Sequence, residues 1–338
     1  MRKVILILFF ALSLFAKDKI LYIYNWSEYM PKDVLKNFTK ETGIKVKYST
    51  YDSNEAMYAK IKTVGSSSYD IIVPSTYFVG KMSKENLLEK LDKTKIPNYS
   101  NLDKKLLNKD FDKNNDFSIP YLWGSSGITY NLGLIKNSVD SWANLWDSEY
   151  KNSILLNDDL REVFGIALRT LGYSSNTQNP KEIEEAYNKL KELLPNVKMF
   201  YSESQKQVYL NEDVKLGMNF NGESYMASLE NDKIKYVYPK EGALIWLDSL
   251  VIPKGAKNIE NAYIFINYLL RAEVSKQISE EIGYASPNLK AVELLPDSIK
   301  NNRTIYPNDE DLKNSEFQND IGEALKVYEK FWEKLKTK

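Results

Sequence analysis

The sequence contains no cysteine and no histidine among its 338 residues. Without cysteine there is no disulfide framework, no thiol nucleophile, no iron–sulfur ligation and no lipid-modified N-terminal thiol. Without histidine, the Ser-His-Asp and Cys-His arrangements and His-based zinc sites are excluded. Neither sign of charge is in excess: 46 Lys+Arg face 46 Asp+Glu, interspersed rather than blocked, which argues against a nucleic-acid backbone as partner. No glycine-rich loop could cradle a phosphate. Asp112-Lys113-Asn114-Asn115-Asp116 imitates the start of a calcium loop, but Phe117 stands at the turn glycine and Trp123 at the bidentate acid. No metal and no cofactor is therefore expected. What the chain has in quantity is aromatic surface, 13% of residues and 24 of them tyrosine. Its chemistry must come from carboxylates, amides, hydroxyls and ring faces.

At the N-terminus, Arg2 and Lys3 precede an apolar run from Val4 to Phe15 that ends at Ala16, before Lys17-Asp18-Lys19. This reads as a secretory signal over residues 1–16, too short for the roughly 20 residues of a membrane-spanning helix. The remaining chain is expected free in a periplasmic compartment, as a monomer.

Strand and helix signatures then alternate. Leu21 to Trp26 reads as a strand, and Pro31 opens a helix that Gly43 closes. Ile44, Val46 and Tyr48 alternate as a second strand, and Asp70 to Pro74 is a buried-type run between two further helical patterns. The rhythm predicts a doubly wound α/β domain, whose ligands sit beyond the carboxyl ends of its strands. Trp26-Ser27-Glu28-Tyr29 and Ser75-Thr76-Tyr77 occupy those turns. An irregular stretch follows from Asp92 to Asp116. Beyond it, Phe117 to Gly124 and Gly242 to Pro253 read as two extended segments crossing between lobes. Between them, helices are expected near Trp142–Trp146, from Asp159 to Leu171 and from Pro180 to Leu194, with a strand at Ile154–Leu156. Further helices are expected around Ala262, Val274 and Ile321, the last with a solvated basic face at Lys334, Lys336 and Lys338. The fold expected is α/β, two doubly wound mixed sheets joined by crossing strands with a ligand cleft between them. One lobe takes 17–123 and 247–292, the other 124–246 and 293–338.

Several segments carry a resemblance. Tyr24-Asn25-Trp26-Ser27-Glu28-Tyr29, Val73-Pro74-Ser75-Thr76-Tyr77 and Ser118-Ile119-Pro120-Tyr121-Leu122-Trp123-Gly124 resemble the periplasmic spermidine/putrescine-binding proteins of ABC importers. So do Asp158-Asp159-Leu160-Arg161-Glu162, Trp246-Leu247-Asp248-Ser249-Leu250 and Phe317-Gln318-Asn319-Asp320. The order is kept over nearly the whole chain after residue 16. The resemblance implies a two-lobed binding protein that closes on a polyamine and delivers it to membrane-embedded permease subunits. It implies carboxylates at Asp159, Glu162 and Asp248, and aromatic walls at Trp26, Tyr77, Trp246 and Tyr284. Polar contacts fall on Ser27, Glu28, Tyr29 and Gln318, and Ser75 is a further candidate by its position at a strand-to-helix turn. Phe220 stands where the family often has tryptophan, keeping a ring face but less area and no indole N–H. Spermidine is implied ahead of putrescine.

Such a ligand, an aliphatic chain with two or three ammoniums, needs acids for its charges and apolar, π-rich walls for its methylenes. Local readings stand beside these roles. Asp159-Leu160-Arg161-Glu162 is also a helix capping box, and the aromatics also suit a core. Asp248 is harder to explain locally, because two residues after Trp246 it shares a strand face and is buried. A polyamine sensor would need the same lobes, and a glycoside hydrolase would use a similar acid pair, although nothing marks one acid as proton donor.

Overall fold

The computed structural model describes residues 19–337, so the expected signal segment lies outside the described residues. A three-stranded parallel sheet contains β1 (Ile20–Trp26), β2 (Lys45–Tyr51) and β3 (Ile71–Ile72) in the order β2-β1-β3. Its helices are α1 (Lys32–Thr42), α2 (Asn54–Val64) and α3 (Thr76–Lys84). Pro31 holds the extended conformation just before α1, and Gly43 ends the helix at φ 73°, where glycine avoids the Cβ penalty. α1 buries Val34 and Phe38, and Phe38 meets Phe265 edge-on at 4.8 Å. Ser53 caps α2 by accepting from the Ala56 amide.

The second sheet is mixed and has seven strands. These are β4 (Ile119–Asn131), β5 (Ile154–Leu156), β6 (Val197–Phe200), β7 (Leu216–Phe220), β8 (Ile234–Val237), β9 (Leu244–Leu250) and β10 (Glu316–Phe317). The order is β10-β9-β4-β7-β5-β6, with β8 beside the far end of β4. β4 and β9 are the long antiparallel pair expected to link the lobes. Their register runs from Ile119 opposite Leu250 to Ser126 opposite Leu244, with Gly124 opposite Trp246. Beyond this pairing the chain reaches the first sheet, where Ile72 and Val251 exchange both backbone hydrogen bonds and Ser249 donates to the Pro74 carbonyl.

Helices α4 (Leu160–Thr170), α5 (Pro180–Leu193), α6 (Gln205–Leu210) and α7 (Asn221–Glu230) accompany the second sheet. After β9 come α8 (Ile259–Leu269), α9 (Ala272–Ile282), α10 (Leu289–Leu294), α11 (Asp297–Lys300) and α12 (Leu325–Lys336). The core divides accordingly. One cluster joins β1, α1, α8 and α9, while another joins α4, α5 and α12 around fully buried Trp142 and Tyr328.

The structure refines several expectations. Trp142–Trp146 is a 3-10 helix, and the irregular stretch holds three short 3-10 turns. The Asp112 carboxylate accepts from the Asp116 and Phe117 amides and the Ser118 hydroxyl, an internal brace for its loop. Lys336 does not belong to a merely solvated face: it pairs with Asp158 at 2.6 Å and lies over the Phe200 and Trp332 rings.

Candidate functional site

Trp26 ends β1 and donates its indole N–H to the Val73 carbonyl at 2.9 Å, its ring 4.7 Å from Tyr51. This fixes the indole at the carboxyl ends of the parallel strands. In the following turn Glu28 adopts φ 51° and is exposed. The Ser27 hydroxyl is exposed and engaged by Asp52 at 2.6 Å, so it points to the rim. Tyr29 is buried, edge-on to Tyr121 at 5.6 Å and to Tyr284 at 5.8 Å. Its hydroxyl has no hydrogen-bond partner. Burial, and then the nearby charge of Asp248, push the Tyr29 hydroxyl pKa well up.

Asp248 is 5% exposed on β9 and accepts from the Ser75 hydroxyl at 2.5 Å. Burial raises its carboxyl to about 7, and hydrogen bonding from Ser75, with the Tyr29 hydroxyl also facing it, only partly offsets that. Around it stand Trp246 and Tyr284, edge-to-face at 5.0 Å, and Phe220, 6.1 Å from Trp246. Two glycines make this aromatic group possible. A Cβ on Gly124 would lie 2.5 Å from the Trp246 ring, and one on Gly222 would lie 2.3 Å from the Tyr284 ring. The Trp246 indole N–H is buried without a partner.

The second acid group heads α4. Asp159 is half-buried and caps the helix, accepting from the Arg161 and Glu162 amides at 2.8 and 3.0 Å. Glu162 does not complete the capping box. It turns inward and accepts from the Gln318 side-chain amide at 3.0 Å, with its other oxygen, Oε2, buried and unpartnered. Desolvation, then the charge of Asp159, lift Glu162 to about 8. Asp159 is also raised, by desolvation first. Arg161 is fully buried, its guanidinium 5.3 Å from the Tyr77 ring and donating to the Asn319 carbonyl. Tyr77 in turn accepts from Asn54 at 3.4 Å.

The sequence-derived residues therefore fall into two linked groups. Tyr29, Ser75 and Tyr284 lie near the Asp248 carboxylate, with Trp246 and Phe220 joining Tyr284 in an aromatic group, while Trp26 stands at the end of β1. Tyr77, Asp159, Glu162 and Gln318 form the second group. Ser27 and Glu28 lie at the rim. The spacing pattern missed Glu55 on α2, which is solvent-accessible yet crowded. Desolvation, and then the charge of Asp159, raise its carboxyl to about 7. It also missed Asn54, which accepts from the Ser75 amide, and Ser126 and Asn219, each with an unpartnered buried atom. Among the described residues no group of acids is arranged to hold a metal ion.

The arrangement joins desolvated carboxylates to ring faces and spare polar atoms, which suits organic cations. The sequence profile of the bacterial extracellular solute-binding proteins matches residues 33–307. The spermidine/putrescine-binding periplasmic protein of Escherichia coli strain K12 is 55% identical over 321 residues, covering 95% of this chain and 92% of that one. A structure from Listeria monocytogenes, described as a spermidine/putrescine ABC transporter, superposes with TM-score 0.90 at 42% identity, covering 94% of this chain and 99% of that one. The spermidine/putrescine ABC transporter substrate-binding protein of Streptococcus pneumoniae superposes with TM-score 0.82, also at 42% identity, covering 94% and 98%. With most of its length matched and its two-lobed fold shared, the chain belongs to the bacterial extracellular solute-binding protein family.

Proposed function

We propose that this protein is the periplasmic substrate-binding component of a polyamine ABC importer, taking spermidine ahead of putrescine and handing it to the permease. The observation that carries this reading is the pair of buried acids: Asp248, beside the Trp246–Tyr284 aromatic group, and Glu162, with one oxygen unpartnered. Each carboxylate is costly to bury alone and becomes favourable when an ammonium neutralises it. Ammonium over a desolvated ring adds about 2 kcal/mol. The ring faces of Trp246, Tyr284 and Phe220 suit the methylenes.

In this reading Asp159, Glu162 and Asp248 take the ammoniums. Trp26, Tyr77, Phe220, Trp246 and Tyr284 form the walls, and Ser75, Tyr29 and Gln318 orient the acids or the amines. Ser27 and Glu28 guard the entrance. The lobes comprise 17–123 with 247–292 and 124–246 with 293–338, rotating about β4 and β9 as the cleft closes. The protein works as a monomer and makes or breaks no bond in its cargo.

Calorimetric titration of the exported chain with putrescine, cadaverine, spermidine and spermine tests the proposal. Spermidine should bind tightest, with putrescine measurably weaker. A folded protein that gives no heat with any of the four amines would overturn it.

A further inference from the structure

Two neighbouring hydroxyls at the head of α3 serve different acids. Ser75 donates to Asp248 at 2.5 Å. Thr76 donates at 2.6 Å to the backbone carbonyl of Gln318, whose side-chain amide donates at 3.0 Å to Glu162. Thr76 is fully buried and Gln318 nearly so. Because that carbonyl and that amide belong to one residue, a shift of the Gln318 backbone re-aims its side chain.

The docking continues along the helix. Residues four apart lie on one stripe, and the stripe after Thr76 is Gly80 and Lys84. A Cβ on Gly80 would lie 3.7 Å from that of Asp320, and Lys84 pairs with Asp320 at 2.7 Å. The same segment is gripped from the α4 side. Arg161 donates to the Asn319 carbonyl, the Asn319 amide donates to Asn176, and Asn176 donates to the Phe317 carbonyl. Residues 317–320 thus travel with α4, while Thr76 and Lys84 reach them from beside the three-stranded sheet. Rotation about β4 and β9 preserves the first set of bonds and breaks the second.

We propose that Thr76 is a positioning residue for ligand retention. Its hydroxyl holds the Gln318 backbone so that the side-chain amide occupies Glu162 Oε1 and leaves Oε2 for the ligand's ammonium. Closure of the lobes and occupancy of Glu162 then reinforce each other. The exposed Lys84–Asp320 pair is an outer clasp of smaller effect. The inference rests on the reading of Glu162 and Gln318 as part of a polyamine site.

Stopped-flow release of spermidine from the exported chain tests it. Thr76→Val keeps the shape and removes the donor, and loss of one buried hydrogen bond should speed release about five- to tenfold. Thr76→Ser should release at nearly the wild-type rate. In a Gln318→Ala background the bond from Thr76 to the residue-318 carbonyl remains, so Thr76→Val should keep only the part of its effect that comes from that bond and lose the part that acts through the side-chain amide. In the proposed cycle the ligand-free protein is open at this contact, so the ligand-free Tm of Thr76→Val should match wild type. If the wild type fails to bind spermidine, the functional reading itself is lost. If the wild type binds but Thr76→Val releases at the wild-type rate, adds fully to Gln318→Ala, or destabilises the ligand-free form in proportion, Thr76 has no positioning role.

Discussion

Ser75 and Asp248 lie 173 residues apart in the chain and meet hydroxyl to carboxylate at 2.5 Å. One well-formed hydroxyl bond, with the Tyr29 hydroxyl facing it less closely, is meagre provision for a buried acid. Asp70, equally buried, accepts from the Tyr22 and Asn258 amides and the Asn258 side chain at 2.8–3.0 Å, a fully braced structural acid. Asp112 has three donors as well. The difference in provision separates acids that hold the fold from acids kept for a ligand.

Asp248→Asn keeps the shape and an oxygen for Ser75 while removing the charge. Spermidine affinity should fall by about 2–3 kcal/mol, because an ammonium loses its buried counterion. The ligand-free Tm should hold or rise, since a costly buried carboxylate is gone. Calorimetry and thermal melts measure both, and an affinity unchanged within error would remove Asp248 from the site.

Affinity should increase as pH rises from 6 to 8. Burial holds Asp248 near about 7 and Glu162 near about 8, against ordinary values of 3.8 and 4.5. At pH 6 both are protonated in the ligand-free protein, and an ammonium must displace those protons. The stability sign is opposite. A carboxyl whose folded pKa is raised stabilises the fold below its unfolded pKa, and that contribution is lost as pH climbs through the folded value. The ligand-free Tm should therefore decline between about pH 4 and pH 8, while the Tm gained with spermidine grows. Titrations at pH 6 in two buffers of different ionisation heat should give different apparent enthalpies. Identical enthalpies would mean that no proton leaves on binding.

Much of this was legible in the residues, and the gaps have physical causes. The parallel strands, α1 and α5 carried periodic apolar patterns and sharp ends at Pro31, Gly43 and Pro180. β7 did not, because Leu-Gly-Met-Asn-Phe contains residues that usually interrupt strands. A Cβ on its Gly217 would lie 2.1 Å from the Leu155 carbonyl, so the glycine is there for strand approach. The spacing of Asp159 and Glu162 fitted a cap and a site equally well. Only the folded chain divides the roles, with Asp159 capping and Glu162 facing Gln318. Glu55 had no local signal, since what sets it apart is desolvation by the packed fold and then the charge of Asp159, about a hundred residues later in the chain.

Gly124→Ala should disturb the aromatic group from behind. The new methyl would lie 2.4 Å from the Asn221 side-chain oxygen and 2.5 Å from the Trp246 ring, too close for either to stay. The Asn221 oxygen also accepts from the Ser125 amide, so movement there breaks a buried hydrogen bond. Overpacking of this kind costs about 1–3 kcal/mol. A lower ligand-free Tm and weaker spermidine binding are expected together. A variant with wild-type melting and affinity would show that β4 and β9 yield freely at their crossing.

Phe220 tests how much of the affinity is ring surface alone. It is half-buried at the end of β7, edge-on to Trp246, and its side chain has no hydrogen-bonding atom. Truncation in Phe220→Ala removes the face without touching any acid. The ligand's methylenes and one ammonium then lose an apolar wall, which should weaken spermidine binding by about 1–2 kcal/mol. Putrescine, with fewer methylenes to cover, should lose less. Phe220→Trp supplies a larger ring at the same place and should bind spermidine at least as tightly as the wild type. Parallel titrations of both variants with both amines decide the point. Equal losses for the two amines in Phe220→Ala would mean that Phe220 supports Trp246 and does not face the ligand.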